Sequence, residues 1–295
     1  MKKFFANVVP ALLLVAFFMA CNQEEDNNEV VIRDKAEQYQ KDIDTIDWFI
    51  DNHFMTVTPD YDVTFAPLPE DGSQQSIRNQ TQYPLQFKTV SLDGIDYKLY
   101  FINFREGINN RPSEVDSIYV SYRGVRTSLA QFDSATTPIW LQLDNVVRGW
   151  REILPLFKTG SYDSGSSGPN PVSFTDFGAG VMFIPSGLGY FSQAVSGLPA
   201  YTPMIFNFKL LELNYRDHDR DGILSKDEVA NPGDNPMLYD LDGDGIFNMF
   251  DVDDDGDTVL TRAEITADGN FESPIVFPYP TCPGGTPKYL DNSCN

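Results

Sequence analysis

The sequence predicts an α+β fold: an antiparallel sheet half-wrapped around one short helix, with a helical segment before it and a run of acidic loops after it. Three observations predict this. From Asp93 to Leu213 the apolar residues keep the two-residue period of half-buried strands, as in Met204, Phe206, Phe208 and Leu210. From Asp34 to His53 they follow a helical period instead. Beyond Leu213 the composition turns abruptly to aspartate and glycine.

Residues 1–20 read as a sorting signal rather than part of the fold. Lys2 and Lys3 precede an apolar run from Phe4 to Ala20, which Asn7 and Pro10 interrupt and which is too short for a convincing membrane span. Phe18-Met19-Ala20-Cys21 resembles a loose lipobox, so Cys21 is the expected lipidation site; an ordinary secretory signal cleaved after Ala20 is the alternative. A lipoprotein with more than one acyl chain sits on a membrane without spanning it. Residues 21–33 form an acidic tether, since Asn22 to Glu29 has nothing apolar to bury. Such a run directly after a lipidated cysteine also resembles the surface-export tag of envelope lipoproteins. The expected location is the outer membrane, on either its periplasmic or its exposed face.

Within 34–92, Tyr39, Ile43, Ile46 and Ile50 make one apolar stripe on an amphipathic helix. Such a stripe packs against a neighbouring domain and carries no catalytic group. Residues 54–92, rich in Pro, Asp, Gln and Thr, read either as a loop-rich connector or as extra edge strands.

The central domain is set at 93–213. Leu99 and Phe101 share one face of a strand, and Ile118, Val120 and Tyr122 share one face of the next, with Gly107 and Asn109-Asn110 marking turns. A further strand ends near Phe132-Asp133, and Ile139-Trp140-Leu141 follows it. Gly149-Trp150 opens a short helix, its glycine letting the backbone pass close beneath the indole. A strand from Val181 to Ile184 and the alternating strand from Met204 complete the sheet. An indole at the head of that helix is an aromatic floor, and a floor implies a pocket.

Five segments stand in the order and approximate spacing of FKBP-type peptidyl-prolyl cis/trans isomerases. They are Tyr122-Arg123-Gly124, Phe132-Asp133-Ser134, Val146-Val147-Arg148-Gly149-Trp150, Ile184-Pro185-Ser186-Gly187-Leu188-Gly189-Tyr190, and Leu198-Pro199 before Phe206. Over residues 93–213, under half of the chain, the sequence resembles that family. The resemblance implies an apolar pocket for a prolyl ring, with Trp150 as floor and Tyr122, Phe132, Val146, Val147 and Phe206 as walls. It places Ile139 where the family commonly has an aromatic, and Leu198 at the rim. It implies that Tyr190 donates its hydroxyl to a substrate carbonyl and that Asp133 sits beside the twisting amide. With Trp150 and Tyr122, these are the expected catalytic residues. Rotation about an X-Pro amide changes no covalent bond, so no catalytic cofactor is expected, and proline-containing segments are the expected partners.

The chain departs from the family pattern in three places. Ala135-Thr136-Thr137 follows Ser134 with no arginine to pair with the pocket aspartate, and the segment Thr159 to Phe177 is longer than the usual hairpin. Phe191 stands where glycine commonly follows the tyrosine, and is expected to narrow the pocket mouth. The missing arginine and Phe191 favour a non-catalytic module that holds proline-containing segments; the retained Tyr122, Asp133, Trp150 and Tyr190 favour catalysis. His53 and His218 have no partner pattern and receive no catalytic role.

In residues 214–268, Asp217, Asp219, Asp221, Ile223, Ser225 and Glu228 occupy the ligand positions of a twelve-residue EF-hand-type calcium loop, with Gly222 at the sharp turn. Asp240, Asp242, Asp244, Ile246, Asn248 and Asp251 repeat the pattern and close on a shorter carboxylate. A third copy admits two registers. The one with Asp253, Asp255, Asp257, Thr261 and Glu264 is preferred, because a start at Asp251 would put Arg262 at the closing ligand; it leaves Thr258 at the glycine position. Only Val252 separates the second and third loops, which excludes an ordinary helix-loop-helix pair. The array resembles thrombospondin type-3 or dockerin-like repeats, in which calcium is the core. Structural Ca2+ is therefore expected, a solvated acidic linker being the alternative.

In the tail, residues 269–295, Cys282 and Cys294 are expected to form a disulfide in an exported protein, two free thiols being the alternative. The formal net charge of -22 becomes still more negative if Lys2 and Lys3 leave with the signal. Such a charge repels nucleic acid and suits cations. The expectation is a membrane-anchored folding catalyst or chaperone for exported proteins, similar to isomerase lipoproteins of the gliding-motility or envelope-assembly type.

Overall fold

The computed structural model describes residues 32–162, 172–231 and 233–294. By contacts the chain divides between Ile32 and Arg33, and every described helix and strand belongs to the unit from Arg33 onward. The expected signal, the lipidation site Cys21, nearly all of the acidic tether and the middle of the long insertion lie outside the described residues. Among the described residues no helix is long and apolar enough to cross a membrane.

Helix α1 (Lys35–Asn52) starts where the Asp34 carboxylate accepts from Glu37 N at 2.9 Å, an N-cap that satisfies a first-turn donor. Its stripe of Ile43, Ile46 and Ile50 is buried as expected, joined by Phe49. The burial extends to two polar residues that the spacing does not single out, Gln38 and Asp42. His53, just past the helix, stacks on Phe49 at 4.1 Å and packs as a core residue.

Strands β1 (His53–Val57) and β2 (Val63–Pro67) form an antiparallel hairpin. In chain order there follow β3 (Leu85–Leu92), β4 (Ile95–Arg105), β5 (Ser117–Arg126), β6 (Gln131–Gln142) and helix α2 (Arg148–Ile153). The two-residue strands β7 (Ser161–Tyr162) and β8 (Phe174–Thr175) pair and close the base of the long insertion. After them come β9 (Gly178–Ile184), β10 (Met204–Asn214) and, in the acidic extension, α3 (Thr261–Glu264). The main sheet runs β3-β4-β9-β10-β5-β6, with every neighbouring pair antiparallel.

Alternation along the strands feeds two cores, because both faces of the sheet are covered. Leu99, Met182, Ile184, Phe206 and Phe208 pack with Trp150, Ile153 and Phe157 of α2 and the turn after it. Ile102, Val181, Phe183 and Ile205 pack with Ile46, Phe49 and Ile50 of α1. The segment before residue 93 is therefore no appendage; its helix and hairpin supply the second layer.

Two expectations are corrected. The sheet begins at Leu85, not beyond Asp93: Leu92 pairs with Ile95, so a boundary at 93 cuts a hairpin. Asp93 (φ 53) and Gly94 (φ 75) form its tight turn, the Asp-Gly pair that hairpin twist favours. Nor does a strand end at Phe132-Asp133. The chain reverses earlier, at Leu129 (φ 66), and β6 carries Phe132 and Ile139 to Leu141 in one edge strand. An edge tolerates Pro138, whose missing N–H leaves no inner ladder bond open. The register slips around it, with Tyr122 facing Ala135 and Val120 facing Ile139.

Beyond β10 the extension has a small core of Ile223, Ile265 and Tyr289. Cys282 and Cys294 are joined in a disulfide with Cα atoms 5.8 Å apart.

Candidate functional site

Strands β5, β6 and β10, helix α2 with the turn before it, and the loop after β9 converge on a cavity of about 200 Å³. Trp150, only 3% exposed, is its floor. The rings of Tyr122 and Phe206 each stand edge-on to the indole at 5.2 Å, with interplanar angles of 81° and 78°. Two glycines permit this closeness. A Cβ on Gly149 would come within 2.7 Å of the Ile184 side chain, which would lift α2 off β9. A Cβ on Gly124 would meet Phe206 Cε1 at 2.7 Å.

The structure brings Tyr122, Asp133, Val146, Val147, Trp150, Tyr190 and Phe206 together on this cavity. Three expected lining residues are placed otherwise. Phe132 backs Phe206 with ring centroids 5.4 Å apart, and Leu198 is buried in the core. Ile139 is 39% exposed on the edge strand, beside the register slip, and does not line the cavity. Leu141 and Asn145 line it instead. Leu141 faces Ile118 across the ladder, so reading β6 as one strand would have found it.

Tyr122 Oη donates to Asp133 Oδ2 at 2.9 Å. With no arginine at 135–137, this phenol is the group that orients the carboxylate. Burial, and then the bond to Asp133, pushes the Tyr122 phenol well above its ordinary value. Burial, and then the Asp133 charge, raises Tyr190 as well. Both hydroxyls therefore keep their protons through neutral and mildly alkaline pH and remain donors.

Tyr190 follows the tight turn Ser186–Leu188. Phe191 next to it holds φ at 47, the left-handed region in which glycine is at ease. Its ring packs against Tyr201 at 5.2 Å and does not line the cavity, so the expected narrowing of the mouth is corrected.

The three acidic loops share a hydrogen-bond plan. Asp217 accepts from Gly222 N at 3.1 Å, Asp240 from Gly245 N at 3.0 Å and Asp253 from Thr258 N at 3.0 Å. The third loop thus shows the plan in the register that starts at Asp253. The side-chain oxygens of Ser225, Asn248 and Thr261, expected as ligands, also accept from the backbone N–H of His218, Leu241 and Asp254, tying each loop shut.

Asp217, Asp219, Asp221 and Glu228 bring carboxylate oxygens within 4.8 Å of one another. The second and third loops gather Asp240, Asp242 and Asp244, and Asp253, Asp255 and Asp257, without their expected closing residues Asp251 and Glu264. Asp251 accepts from Asp253 N at 3.0 Å. In the first loop, Asp219 Oδ2, Asp221 Oδ2 and both oxygens of Glu228 are buried without a hydrogen-bond partner. Burial and the neighbouring charges push the Glu228 carboxyl up to about 11. Convergent, unpartnered carboxylate oxygens of this kind fit a hard divalent cation.

The first loop is fastened beside the cavity. Asp116 accepts from Arg216 N at 3.1 Å through its side chain and from Leu143 N at 2.9 Å through its carbonyl. His218 Nε2 lies 3.4 Å from Asp144 Oδ2. Burial lowers the pKa of His218, which keeps the ring neutral at physiological pH. Asp144 is followed by Asn145 and Val146 on the cavity wall.

Comparison with known proteins gives two separate likenesses. A family described as BamM C-terminal matches residues 218–289. The FKBP-type peptidyl-prolyl cis-trans isomerase FkpA of Escherichia coli (strain K12) is 27% identical over 110 residues, which cover 36% of this chain and 34% of that protein. FkpA of Buchnera aphidicola is 27% identical over 118 residues, covering 39% of this chain and 42% of that protein. FkpA of Aeromonas hydrophila is 22% identical over 179 residues, covering 58% and 60%. The chain spans about a third of the E. coli relative's length. Among solved structures, a peptidyl-prolyl cis-trans isomerase from Pseudomonas syringae is 22% identical with a TM-score of 0.34, over 46% of this chain and 84% of that one. FkpA from Escherichia coli is 20% identical with a TM-score of 0.37, over 61% and 63%. The chain is thus similar, at low identity, to FKBP-type isomerases.

Proposed function

We propose that this chain is a peptidyl-prolyl cis/trans isomerase acting on X-Pro bonds of exported proteins. The observation that carries the reading is the aromatic box of Tyr122, Trp150 and Phe206 with Asp133 bonded at its edge and Tyr190 on its wall. The sequence similarity to FkpA supports it.

Rotation about an amide must overcome a resonance barrier of ~18–20 kcal/mol. Water favours the planar, charge-separated amide, so a prolyl ring seated on Trp150 between apolar walls leaves that form less stabilised. The Tyr190 hydroxyl, kept protonated, donates to the carbonyl beside the proline and holds the chain while the bond twists. Asp133, oriented by Tyr122, sits where the twisting nitrogen loses its double-bond character. A stabilisation of ~5 kcal/mol specific to the twisted form corresponds to several thousand-fold in rate.

The test is acceleration of X-Pro exchange in a set of short peptides by the chain from Arg33 onward. Acceleration lost in Trp150→Ala, with the fold retained, supports catalysis. No acceleration on any peptide would sink it. One observation favours a second reading, a binding module without turnover: Asp133 is exposed and is held by a phenol where an arginine is usual. Peptide binding without acceleration would establish that alternative.

The same proposal includes structural calcium in the three loops, supported by the orphaned oxygens of Asp219, Asp221 and Glu228. Asp217, Asp219, Asp221 and Glu228 would hold one ion, which would supply the positive charge these carboxylates lack. Lipidation at Cys21 and an outer-membrane location rest on residues 18–21 and on the acidic run after them. Incorporation of labelled acyl chain, lost in Cys21→Ser, tests the anchor. Retention of label by that variant would refute it.

A further inference from the structure

The loop 189–203 brings Tyr190 to the cavity, and two aromatic residues in costly conformations close it on itself. Phe191 (φ 47) and Tyr201 (φ 59) both stand in the left-handed region, where a side chain crowds its own backbone. Tyr201 N donates to the Phe191 carbonyl at 2.6 Å, and the two rings meet edge to face at 5.2 Å. Between them Val195 and Leu198 exchange backbone hydrogen bonds, and a Cβ on Gly197 would come within 3.3 Å of Phe132 Cα. The tip of the loop thus rests on Phe132, whose ring backs the cavity wall at Phe206.

Strained residues persist only where their surroundings over-determine them. Here the surroundings come from the start of α1. Arg33 lays its guanidinium over the Tyr201 ring at 4.3 Å, and Arg33 N donates to the Tyr201 hydroxyl at 3.2 Å. Gln38, buried on the first turns of the helix, holds the backbone of the same residue by donating to the Tyr201 carbonyl at 3.3 Å. Its amide oxygen accepts from Arg33 at 2.7 Å, which ties the two holders together. Neither Arg33 nor Tyr201 lines the cavity, and neither belongs to the cores on the two faces of the sheet. Packing of the sheet therefore gives no reason for this arrangement.

We propose that Tyr201, held by Arg33 and Gln38, is a positioning residue for prolyl isomerisation: through Phe191 it fixes the backbone of Tyr190 and so aims the Tyr190 hydroxyl at the carbonyl beside the proline. An exposed loop with few buried contacts opens readily, and a donor displaced by about 1 Å loses much of its effect on a twisting bond. A cation on one aromatic ring and a second ring against it remove that freedom without adding a group to the cavity. The inference rests on the reading of the cavity as an isomerase site.

The test is a double-mutant cycle on the full chain, read as kcat/KM for exchange in short X-Pro peptides. Tyr201→Ala should slow exchange about fivefold in the wild-type background and by less than about twofold when Tyr190 is already phenylalanine. Tyr201→Phe keeps the ring on Phe191 and beneath Arg33, and should run within about twofold of wild type. Arg33→Ala leaves both cores untouched and should repeat the pattern of Tyr201→Ala at smaller size; it carries the cycle if Tyr201→Ala does not fold. The proposal is overturned by a loss that is equal in both backgrounds, by no loss in either, or by a loss as deep in Tyr201→Phe as in Tyr201→Ala. Each of these leaves the isomerase reading intact, because wild type still accelerates exchange. A wild type without acceleration would sink both.

Discussion

Asp42 on helix α1 bonds Ser186 twice across the sheet's end: its Oδ2 accepts from Ser186 N at 2.7 Å and from Ser186 Oγ at 2.6 Å. Gln38 donates to the other oxygen at 2.7 Å. Asp42 is 1% exposed, and burial raises its carboxyl above the ordinary value while these donors oppose the rise. The helix on the far face of the sheet therefore holds the turn that presents Tyr190.

Asp42→Ala leaves those donors buried and unsatisfied, and is expected to cost about 3 kcal/mol in urea unfolding. Below its unfolding transition the variant should isomerise peptides more slowly through a poorly held Tyr190. An unchanged denaturation midpoint would show that the two bonds carry no stability.

Tyr190→Phe removes one hydroxyl from the cavity wall and keeps the ring. It is expected to lower kcat/KM for X-Pro exchange about tenfold, the value of one well-placed hydrogen bond, with stability nearly unchanged. Trp150→Ala should abolish exchange and cost ~3–5 kcal/mol, because it also empties the core above Ile184. If Tyr190→Phe equals wild type in rate, the hydroxyl has no part in the reaction.

Most of the pocket was legible because its residues fall inside motifs that keep their order along the chain: Trp150, Tyr190, Val146 and Val147 are all on the cavity. What was not legible depends on strand ends. Taking Phe132-Asp133 as the end of a strand hid the continuity of β6, and with it the placement of Leu141 inside and Ile139 outside. The role of α1 was half legible: the stripe of Ile43, Ile46 and Ile50 predicts packing, but a buried Asp42 is unexpected until its partner, 144 residues away, is known. In the acidic extension the spacing predicts the loops, while the bonds from backbone N–H groups to Ser225, Asn248 and Thr261 that close them have no sequence signature.

Glu152, two residues beyond the pocket floor, pairs with Lys88 at 2.7 Å and Arg148 at 2.6 Å. Burial pushes its carboxyl up, but the bond and charge of Lys88 together with those of Arg148 outweigh burial and leave it below its ordinary value. A depressed carboxyl contributes stability above its unfolded pKa and loses it as pH falls through the folded one. Glu152→Gln is therefore expected to cost about 2 kcal/mol near neutral pH. The difference from wild type should shrink as pH drops below the ordinary glutamate value of 4.5. A gap that stays constant down to about pH 3 would exclude this charge linkage.

Thr258 occupies the turn position that glycine holds in the other two acidic loops. Its φ is 78, against 106 for Gly222 and 96 for Gly245. A β-branched residue there is strained by ~1–2 kcal/mol, and the side chain is exposed, so it recovers little by packing. The backbone needs this conformation, because Thr258 N donates to Asp253 and closes the loop. Thr258→Gly should relieve the strain, although glycine's freer unfolded chain offsets part of the gain, by ~0.5–1 kcal/mol. The expected result is a net rise in thermal stability and tighter calcium uptake by the third loop, read by calorimetry on the chain from Arg33 onward. A fall in both quantities would mean that the threonine side chain holds something the loop requires.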